Sequence, residues 1–420
     1  MEERFAIFGD ILYSDEDMEI REFKDSYLIV SGTKVAGIQR SRPNGMVVHD
    51  YEGMLVIPGL TDLHLHAPQY QFAGLFMDEE LLQWLERHTF PEEGRYADLD
   101  YAKKAYSIFT SDLLKSETTR FSIFATIHKD ASLMLSQMLE EKGFSGYVGK
   151  VNMDMNSPDY LCEDTRDSIE STLSYIEGMK RFENIRPIIT PRFIPSCSRS
   201  LLKELAEISK EKGLPIQSHL DENLSEIEWV KELVPESRNY SDAYRMMGLW
   251  GEEKTIMAHV VWPDDEEMKM LENKNIFVAH SPSSNSNLSS GIAPIRKMLE
   301  RRINVALATD VAGGSSLSIL RMATHAIEVS KLYHRLVDEK SRPLTFREAF
   351  YMASLGGGRF FGGTGSFIPG YDADVVVLDS SSVHTTLYDE ISLAERLELY
   401  AYRCAGSPVA AKFIKGRKVL

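Results

Sequence analysis

The chain is poor in cysteine. Its 420 residues include only Cys162, Cys197 and Cys404, which are widely separated and odd in number. A disulfide framework and a zinc site of the Cys-x-x-Cys type both need closely spaced cysteine pairs, so the sequence excludes both. Any bound metal must therefore be held by histidine and carboxylate side chains.

The chain also lacks an excess of positive charge and long hydrophobic runs. It has 47 basic against 63 acidic residues, a net charge of -16 and a pI near 5.2, which opposes binding to nucleic-acid phosphates. No run approaches the length of a membrane span, and residues 1–5 show no basic region followed by an apolar one. We therefore expect a cytoplasmic protein with no nucleic-acid partner and no membrane contact.

What the chain does contain is a regular alternation of apolar and charged segments. Residues 58–363 hold eight strand-like apolar runs, one beginning at Leu60 and the others at 121–127, 146–153, 185–190, 215–218, 255–258, 276–279 and 304–308. Charged segments of helical period separate them, for example 200–212, which ends at Gly213. Eight strands alternating with helices predict an α/β fold with a (β/α)8 TIM-like barrel. A doubly wound sheet is the alternative, but no glycine-rich phosphate loop follows an early strand.

Both ends of the chain have a different pattern. Residues 1–57 and 364–420 contain short apolar runs broken by turns, such as 5–8, 27–30 and 373–379. We expect these two segments to form one small β-sandwich domain beside the barrel.

Two histidines occur at strand spacing at the start of the predicted barrel. His64 and His66 alternate with Leu63 and Leu65, so both imidazoles project to the same side of the strand. Two imidazoles on one face form a pair of metal ligands. The alternative is a pair of core histidines with a structural role, but unpaired buried imidazoles are costly.

Later strands of the predicted barrel also end in polar residues that could bind metal. The fifth, sixth and seventh end in His219, His259 and His280, and the eighth in Asp310. Because barrel enzymes carry their chemistry at the carboxyl ends of the strands, these residues indicate a catalytic metal site, with donors that suit Zn²⁺ or Fe²⁺. Glu222 follows His219 closely and could transfer protons, or it could be an ordinary carboxylate at a helix start. We expect a structural role for the remaining histidines: His49, His88, His128, His325, His334 and His384.

These residues resemble the amidohydrolase superfamily in its single-metal deaminase branch. The resemblance rests on Pro58-Gly59-Leu60 leading into Asp62-Leu63-His64-Leu65-His66, on His219 with Glu222, on His259, and on Ala308-Thr309-Asp310. More narrowly, four segments are similar to the guanine deaminases: His66-Ala67-Pro68-Gln69-Tyr70, Pro191-Arg192-Phe193, His219-Leu220-Asp221-Glu222 and Ser281-Pro282-Ser283-Ser284-Asn285. Pro369-Gly370-Tyr371-Asp372-Ala373-Asp374 is similar to the segment that returns the chain to the β domain in this superfamily.

The resemblance implies a set of roles. One divalent metal, with Zn²⁺ favoured and Fe²⁺ open, would be held by His64, His66, His219 and Asp310, with His259 as a further ligand or beside it. Gln69, Arg192 and Phe193, together with His219 and Glu222, would bind the purine. Metal-activated hydroxide would convert guanine to xanthine and ammonia in purine catabolism. Asp310 would accept the proton from water, and Glu222 would protonate the ring nitrogen next to C2 and then the leaving amine. A homodimer is also implied.

One departure from the family pattern is visible, and two alternatives stay open. Relatives commonly have Cys-Pro where this chain has Ser281-Pro282, and no lysine ends the fourth strand, which argues against the two-metal relatives. One alternative is another aminohydrolase or chlorohydrolase of the superfamily, acting on cytosine, an adenosine derivative or a triazine. The other is a non-catalytic scaffold, which the complete set of ligand residues disfavours.

Overall fold

The computed structural model describes residues 4–388 and 390–420. Residues 1–3 lie outside the described residues. They begin the predicted β domain, and they belong to the segment 1–5 that shows no basic region followed by an apolar one. Four strands open the chain: β1 (Arg4–Ser14), β2 (Ile20–Ser31), β3 (Lys34–Gln39) and β4 (Val47–Pro58). Ten further strands supply the barrel: β5 (Leu60–His66), β6 (Thr118–Phe124), β7 (Gly146–Gly149), β8 (Val151–Asn152), β9 (Ile185–Pro187), β10 (Thr190–Pro191), β11 (Ile216–Leu220), β12 (Thr255–His259), β13 (Ile276–His280) and β14 (Asn304–Leu307). The last strands are β15 (Val375–Leu378), β16 (Ala411–Ile414) and β17 (Arg417–Lys418).

The helices lie mainly between the barrel strands. They are α1 (Leu81–Trp84), α2 (Phe90–Gly94), α3 (Leu99–Lys115), α4 (Lys129–Glu141), α5 (Thr165–Met179), α6 (Arg199–Lys212), α7 (Leu224–Leu233), α8 (Tyr240–Met246), α9 (Asp265–Met270), α10 (Pro282–Asn287), α11 (Ile295–Glu300), α12 (Ile319–Leu336), α13 (Phe346–Tyr351) and α14 (Leu393–Cys404). Short 3-10 turns occur at Ala67–Phe72, Arg95–Ala97, Asp159–Leu161, Ile194–Ser196 and Ser380–Ser382, and π-helical turns at Leu85–Thr89 and Met352–Gly356. No helix in the described ranges has both the length and the apolar character needed to cross a bilayer.

Helix α6 shows how local sequence sets these bounds. Ser198 caps its first turn by accepting a hydrogen bond from the backbone N–H of Leu201, and Gly213 ends it with a left-handed φ of 61°. Leu201, Leu205 and Ile208 recur at helical spacing and are buried against the barrel. The helix predicted at 200–212 is therefore observed one residue longer.

The barrel strands pair in parallel and in sequence order. Hydrogen bonds join β5, β6, β7 and β9 in one series and β11, β12, β13 and β14 in another, and β8 pairs with β10. A bridge between Ile189 and Ile216 links the fourth strand position to the fifth. The ring closes where the N–H of Asp310 donates to the carbonyl of His64 at 2.8 Å. The predicted (β/α)8 barrel is confirmed.

Two predicted strand runs are interrupted. The run at 146–153 is divided into β7 and β8 at Lys150, whose buried ammonium turns to Glu163 at 2.7 Å. The run at 185–190 is divided into β9, which ends at Pro187, and β10, which begins at Thr190. The eighth strand ends at Leu307, so Asp310 lies in the loop that follows.

Both ends of the chain form the β domain. Its seven strands make one mixed sheet in the order β17-β16-β15-β4-β1-β2-β3, in which β1 and β4 are parallel. Apolar side chains from opposite ends of the sheet, including Val35 of β3 and Phe413 of β16, share one buried cluster. Strands from both termini thus pack together, as predicted, whereas the boundaries at residues 57 and 364 stay a prediction.

A buried ion pair joins the barrel to the β domain. Arg120 on β6 donates from Nε to Asp374 at 2.5 Å and from Nη2 to Asp372 at 2.9 Å. Asp374 also accepts a hydrogen bond from Thr364 at 3.1 Å, and the backbone N–H of Gly59 donates to its carbonyl at 2.9 Å. The segment just before β15 is thereby fixed against the start of β5, the strand that carries the first two histidines.

Candidate active site

Five buried side chains converge at the carboxyl end of the barrel, and we call them the His/Asp cluster: His64, His66, His219, His259 and Asp310. Nε2 of His66 lies 3.2 Å from Nε2 of both His64 and His219. One oxygen of Asp310 lies 3.0 Å from Nε2 of His64, and the other lies 3.7 Å from Nε2 of His259.

The charge states of the His/Asp cluster suit a metal ion. Burial lowers the pKa of His66 and His219 well below the usual value, and neighbouring imidazoles lower it further. Burial also lowers the pKa of His64, against the influence of Asp310. Burial raises the pKa of Asp310, but His64, His259 and a hydrogen bond from Ser284 together outweigh burial and lower that pKa. Lowered pKa values favour neutral imidazoles at His64, His66 and His219 beside a carboxylate at Asp310, the forms that bind metals.

The ring nitrogens cannot satisfy one another. Nε2 of His66 lies 3.2 Å from two other ring nitrogens but can form a hydrogen bond with only one of them, so at least one of these buried contacts has no shared proton. The possible ligand atoms of these three residues lie within 4.8 Å of one another, and so do those of His64, His259 and Asp310. A cation that accepts several lone pairs fits this arrangement.

Neighbouring groups orient two of the imidazoles. Nδ1 of His219 lies 2.7 Å from the backbone carbonyl of Arg192, and Nδ1 of His259 lies 2.9 Å from the amide oxygen of Asn285. Each contact directs Nε2 of that ring into the His/Asp cluster, as outer groups commonly do for histidine ligands. His259 and Asp310 have left-handed φ values of 72° and 46°, so the surrounding structure holds both in an uncommon backbone conformation.

Glu222 lies beside the His/Asp cluster in the loop before α7. Its Oε2 is 3.4 Å from Nε2 of His259. Burial raises its pKa well above the usual value, and the negative charges of Asp310 and Glu226 raise it further. Oε2 of Glu226 accepts a hydrogen bond from the backbone N–H of Glu222 at 3.0 Å, and Tyr240 donates to Oε1 of Glu226 at 2.8 Å. Glu226 therefore holds this loop in place, and the raised pKa favours the protonated form of the Glu222 carboxyl.

A small cavity opens onto the His/Asp cluster and Glu222. Its other walls are mostly apolar, formed by Leu81, Trp84, Leu85, Phe193 and Leu288. Two polar side chains, Gln69 and Arg192, also line it. A mostly apolar cavity with a few polar groups is typical of a site for a small molecule.

Comparisons with known proteins agree with this geometry. The family model described as "Amidohydrolase family" matches residues 55–418. The chain belongs to the amidohydrolase family.

Several relatives of this amidohydrolase are close. The guanine deaminase of Dictyostelium discoideum is 36% identical over 416 residues, covering 96% of this chain and 92% of the relative. That of Rattus norvegicus is 41% identical over 331 residues, covering 77% of this chain and 72% of the relative. A crystal structure of guanine deaminase from C. acetobutylicum with bound guanine in the active site is 40% identical, with a TM-score of 0.96, and the match covers 99% of this chain and 100% of that one.

The structure brings the predicted site residues of this amidohydrolase together, although their individual roles stay predictions. His66, His219, His259, Asp310, Glu222, Gln69, Arg192 and Phe193 all line the one cavity, and His64 lies directly beside it. The six histidines for which we expected a structural role do not line it. His280, which ends the seventh strand, is buried away from the cavity, and neither of its ring nitrogens has a hydrogen-bond partner among the described residues.

Sequence reasoning missed several residues that support the site of this amidohydrolase. Glu93 accepts a hydrogen bond from Nε2 of Gln69 at 2.8 Å and one from Nη1 of Arg192 at 2.6 Å. Asn285 orients His259, yet the sequence marked it only as the last residue of the segment 281–285 and gave it no role. Glu226 is recognisable as the N3 residue of a capping box that begins at Asn223, but nothing in the pattern connects it with Glu222.

Proposed function

We propose that the protein catalyses the hydrolytic deamination of guanine, in which guanine and water give xanthine and ammonia. The observation that carries the proposal is that Gln69 and Arg192 line the same buried cavity as the His/Asp cluster. The similarity to guanine deaminases over nearly the whole chain, including one whose structure contains guanine, supports the choice of substrate.

We propose that one divalent metal is held by His64, His66, His219 and Asp310, with His259 as a further ligand or directly beside it. Imidazole and carboxylate donors favour Zn²⁺, with Fe²⁺ as the alternative. When bound, such an ion lowers the pKa of a water toward neutrality and so supplies the nucleophile. The fourth strand position ends in Thr190–Pro191, so it offers no lysine that could bridge a second ion.

Asp310 and Glu222 would divide the proton transfers. Asp310 is ionised, because contact with His64 lowers its pKa, so it can accept a proton from the attacking water. Glu222 is protonated because burial raises its pKa, so it can protonate the ring nitrogen next to C2 and afterwards the leaving amine. The opposite directions of the two pKa shifts suit an acceptor and a donor on either side of one carbon atom.

The polar wall of the cavity favours guanine over adenine. Arg192 has only donors, so it suits the C6 carbonyl oxygen of guanine and opposes the C6 amine of adenine. Gln69 has a donor and an acceptor on one amide, which suits the mixed edge beside that carbonyl, and Phe193 offers a face for the purine ring. These three side chains and the His/Asp cluster would bind opposite parts of the same base.

The proposal is tested by rates with guanine, adenine and cytosine on metal-loaded protein, with Arg192→Ala as the variant. We expect turnover of guanine, poor or no turnover of the other two, and a loss of most of kcat/KM in the variant at unchanged metal content. A wild-type protein that processes adenine or cytosine as fast as guanine would favour another aminohydrolase of the family.

Three further features belong to this proposal. We propose that the protein acts in the cytoplasm, and in purine catabolism because the reaction removes an amino group from the base as ammonia. We also propose a homodimer, which light scattering of the purified protein would test directly.

A further inference from the structure

A buried carboxylate joins the two polar residues of the cavity wall. Glu93 on α2 is 1% exposed and binds Gln69 through Oε1 and Arg192 through Oε2. The three residues come from separate parts of the barrel: Gln69 follows the first strand, Arg192 follows the fourth, and Glu93 lies in the helical segment that covers the cavity. We propose that Glu93 is the positioning residue that sets the preference for guanine, an inference that rests on the proposed function.

The bond to Glu93 fixes the amide of Gln69. A glutamine amide can turn by 180° and exchange its donor and acceptor, unless a neighbour distinguishes them. Glu93 accepts the hydrogen bond from Nε2, and a turned amide would place Oε1 against a carboxylate oxygen at about the same distance of 2.8 Å. Glu93, at the shorter distance, together with the backbone N–H of Ala312 at 3.4 Å from Oε1, therefore fixes the order in which Gln69 presents donor and acceptor to the cavity.

The same carboxylate fixes the guanidinium of Arg192. Nη1 donates to Glu93 at 2.6 Å, and the guanidinium lies 5.2 Å from the ring centroid of Phe90 on the same short helix. Glu93 is the acid that pairs with Arg192 within the described ranges. The carboxylate balances the buried positive charge of Arg192 and leaves the other N–H groups of its guanidinium free to donate to a carbonyl oxygen.

The consequence is a fixed pattern of donors and acceptors. Guanine presents a C6 carbonyl oxygen next to an N1–H, an acceptor followed by a donor. 2,6-Diaminopurine keeps the reactive amine at C2 but presents a C6 amine next to an unprotonated N1, so the order is reversed. If Gln69 and Arg192 are held fixed, the site rejects the reversed order because buried polar groups are left unpaired. If these side chains can turn, the site accepts the reversed order better.

The test compares hydrolysis of the C2 amine in the two bases, guanine to xanthine and 2,6-diaminopurine to isoguanine, each with release of ammonia. Glu93→Gln keeps the size of the side chain but removes the charge and allows both amides to turn. We expect the ratio of kcat/KM for guanine over 2,6-diaminopurine to fall by roughly tenfold or more. The loss with guanine should lie mainly in KM, because these contacts lie away from the reacting carbon.

Glu92→Gln is the matched control. Glu92 precedes Glu93 on the same helix, but it binds Arg95 and Tyr101 outside the cavity. Its substitution should leave the ratio and the metal content unchanged. If Glu93→Gln does not fold, Glu93→Asp decides the question, because the shorter carboxylate keeps the charge but cannot reach both partners, and the ratio should again fall.

The outcomes separate this inference from the proposed function. A metal-loaded wild-type protein that does not convert guanine overturns the proposed function. A wild-type protein that converts guanine, with a Glu93 variant that is slower but has the same ratio, leaves the proposed function intact and overturns the inference. In that case Glu93 would serve only to hold the covering helices.

Discussion

Replacing Glu222 by glutamine separates proton transfer from metal binding. The amide has nearly the size of the carboxyl and keeps a hydrogen-bond donor, but it cannot give up a proton. Oε2 of Glu222 lies 3.4 Å from Nε2 of His259, whereas Nε2 of His66 lies 3.2 Å from that of His64 and of His219. The metal site should therefore stay complete in Glu222→Gln.

The structure sets the size of the expected effects. Loss of a general acid costs roughly 10²- to 10⁴-fold in kcat, which corresponds to about 3 to 5 kcal/mol in the activation free energy. The free energy of unfolding should not fall, because Glu222 is buried, its pKa is raised, and it forms no ion pair with an arginine or lysine in the described part of the chain. A neutral amide avoids the cost of burying a group that can ionise. The loop also keeps the hydrogen bond between the backbone N–H of residue 222 and Glu226.

The assay combines kcat, metal content by mass spectrometry and thermal unfolding on the same preparation. We expect a large loss of kcat with metal content and stability near wild type. His219→Ala is the contrast, because it should lose both metal and activity. A Glu222→Gln protein that is isolated without metal would identify Glu222 as a ligand, and one with wild-type kcat would remove it from the chemistry.

Three further predictions concern stability and the metal. Arg120→Met should reduce the free energy of unfolding by about 3–5 kcal/mol in urea denaturation, because it leaves the buried Asp374 without its ion-pair partner. Arg21→Ala removes an exposed ion pair and should change the free energy of unfolding little. Equal effects of the two substitutions would contradict this account of the domain contact. Burial lowers the pKa of Lys412 to about 7 in the folded protein, so the unfolded chain binds more protons between that pH and the ordinary lysine pKa. Stability should therefore rise across this pH range by at most about 1.4 kcal/mol per pH unit, a slope that Lys412→Met should lack in denaturation series. Chelation should abolish activity and lower Tm, and divalent metal should restore both; full activity after complete metal removal would exclude the metal site.

The large features of the fold could be predicted because they depend on local patterns. Eight apolar runs separated by helical segments indicate a barrel, and His64 and His66 at a spacing of two indicate ligands on one strand face. The family resemblance placed Gln69 and Arg192 near the substrate, and the structure locates both in the cavity wall. The fold and the family are confirmed, while the roles of single residues stay predictions.

Glu93 could not be predicted because its contacts depend on tertiary structure. It follows Glu92 in a charged helical segment, and such paired acids are usually exposed on a helix surface. Its partners lie 24 and 99 residues away, and no periodicity within the segment reports on them. Asp310 illustrates the same limit. The apolar run at 304–308 indicates a strand, but it does not show where that strand ends, and the structure places Asp310 in the loop after it.

The most direct test of the central claim is the stoichiometry of the reaction on the metal-loaded wild-type protein. Guanine is mixed with the protein, xanthine is quantified by chromatography, and ammonia is measured in the same samples. We predict one xanthine and one ammonia for each guanine consumed, over many turnovers. No consumption of guanine by protein with a full complement of metal would contradict the account.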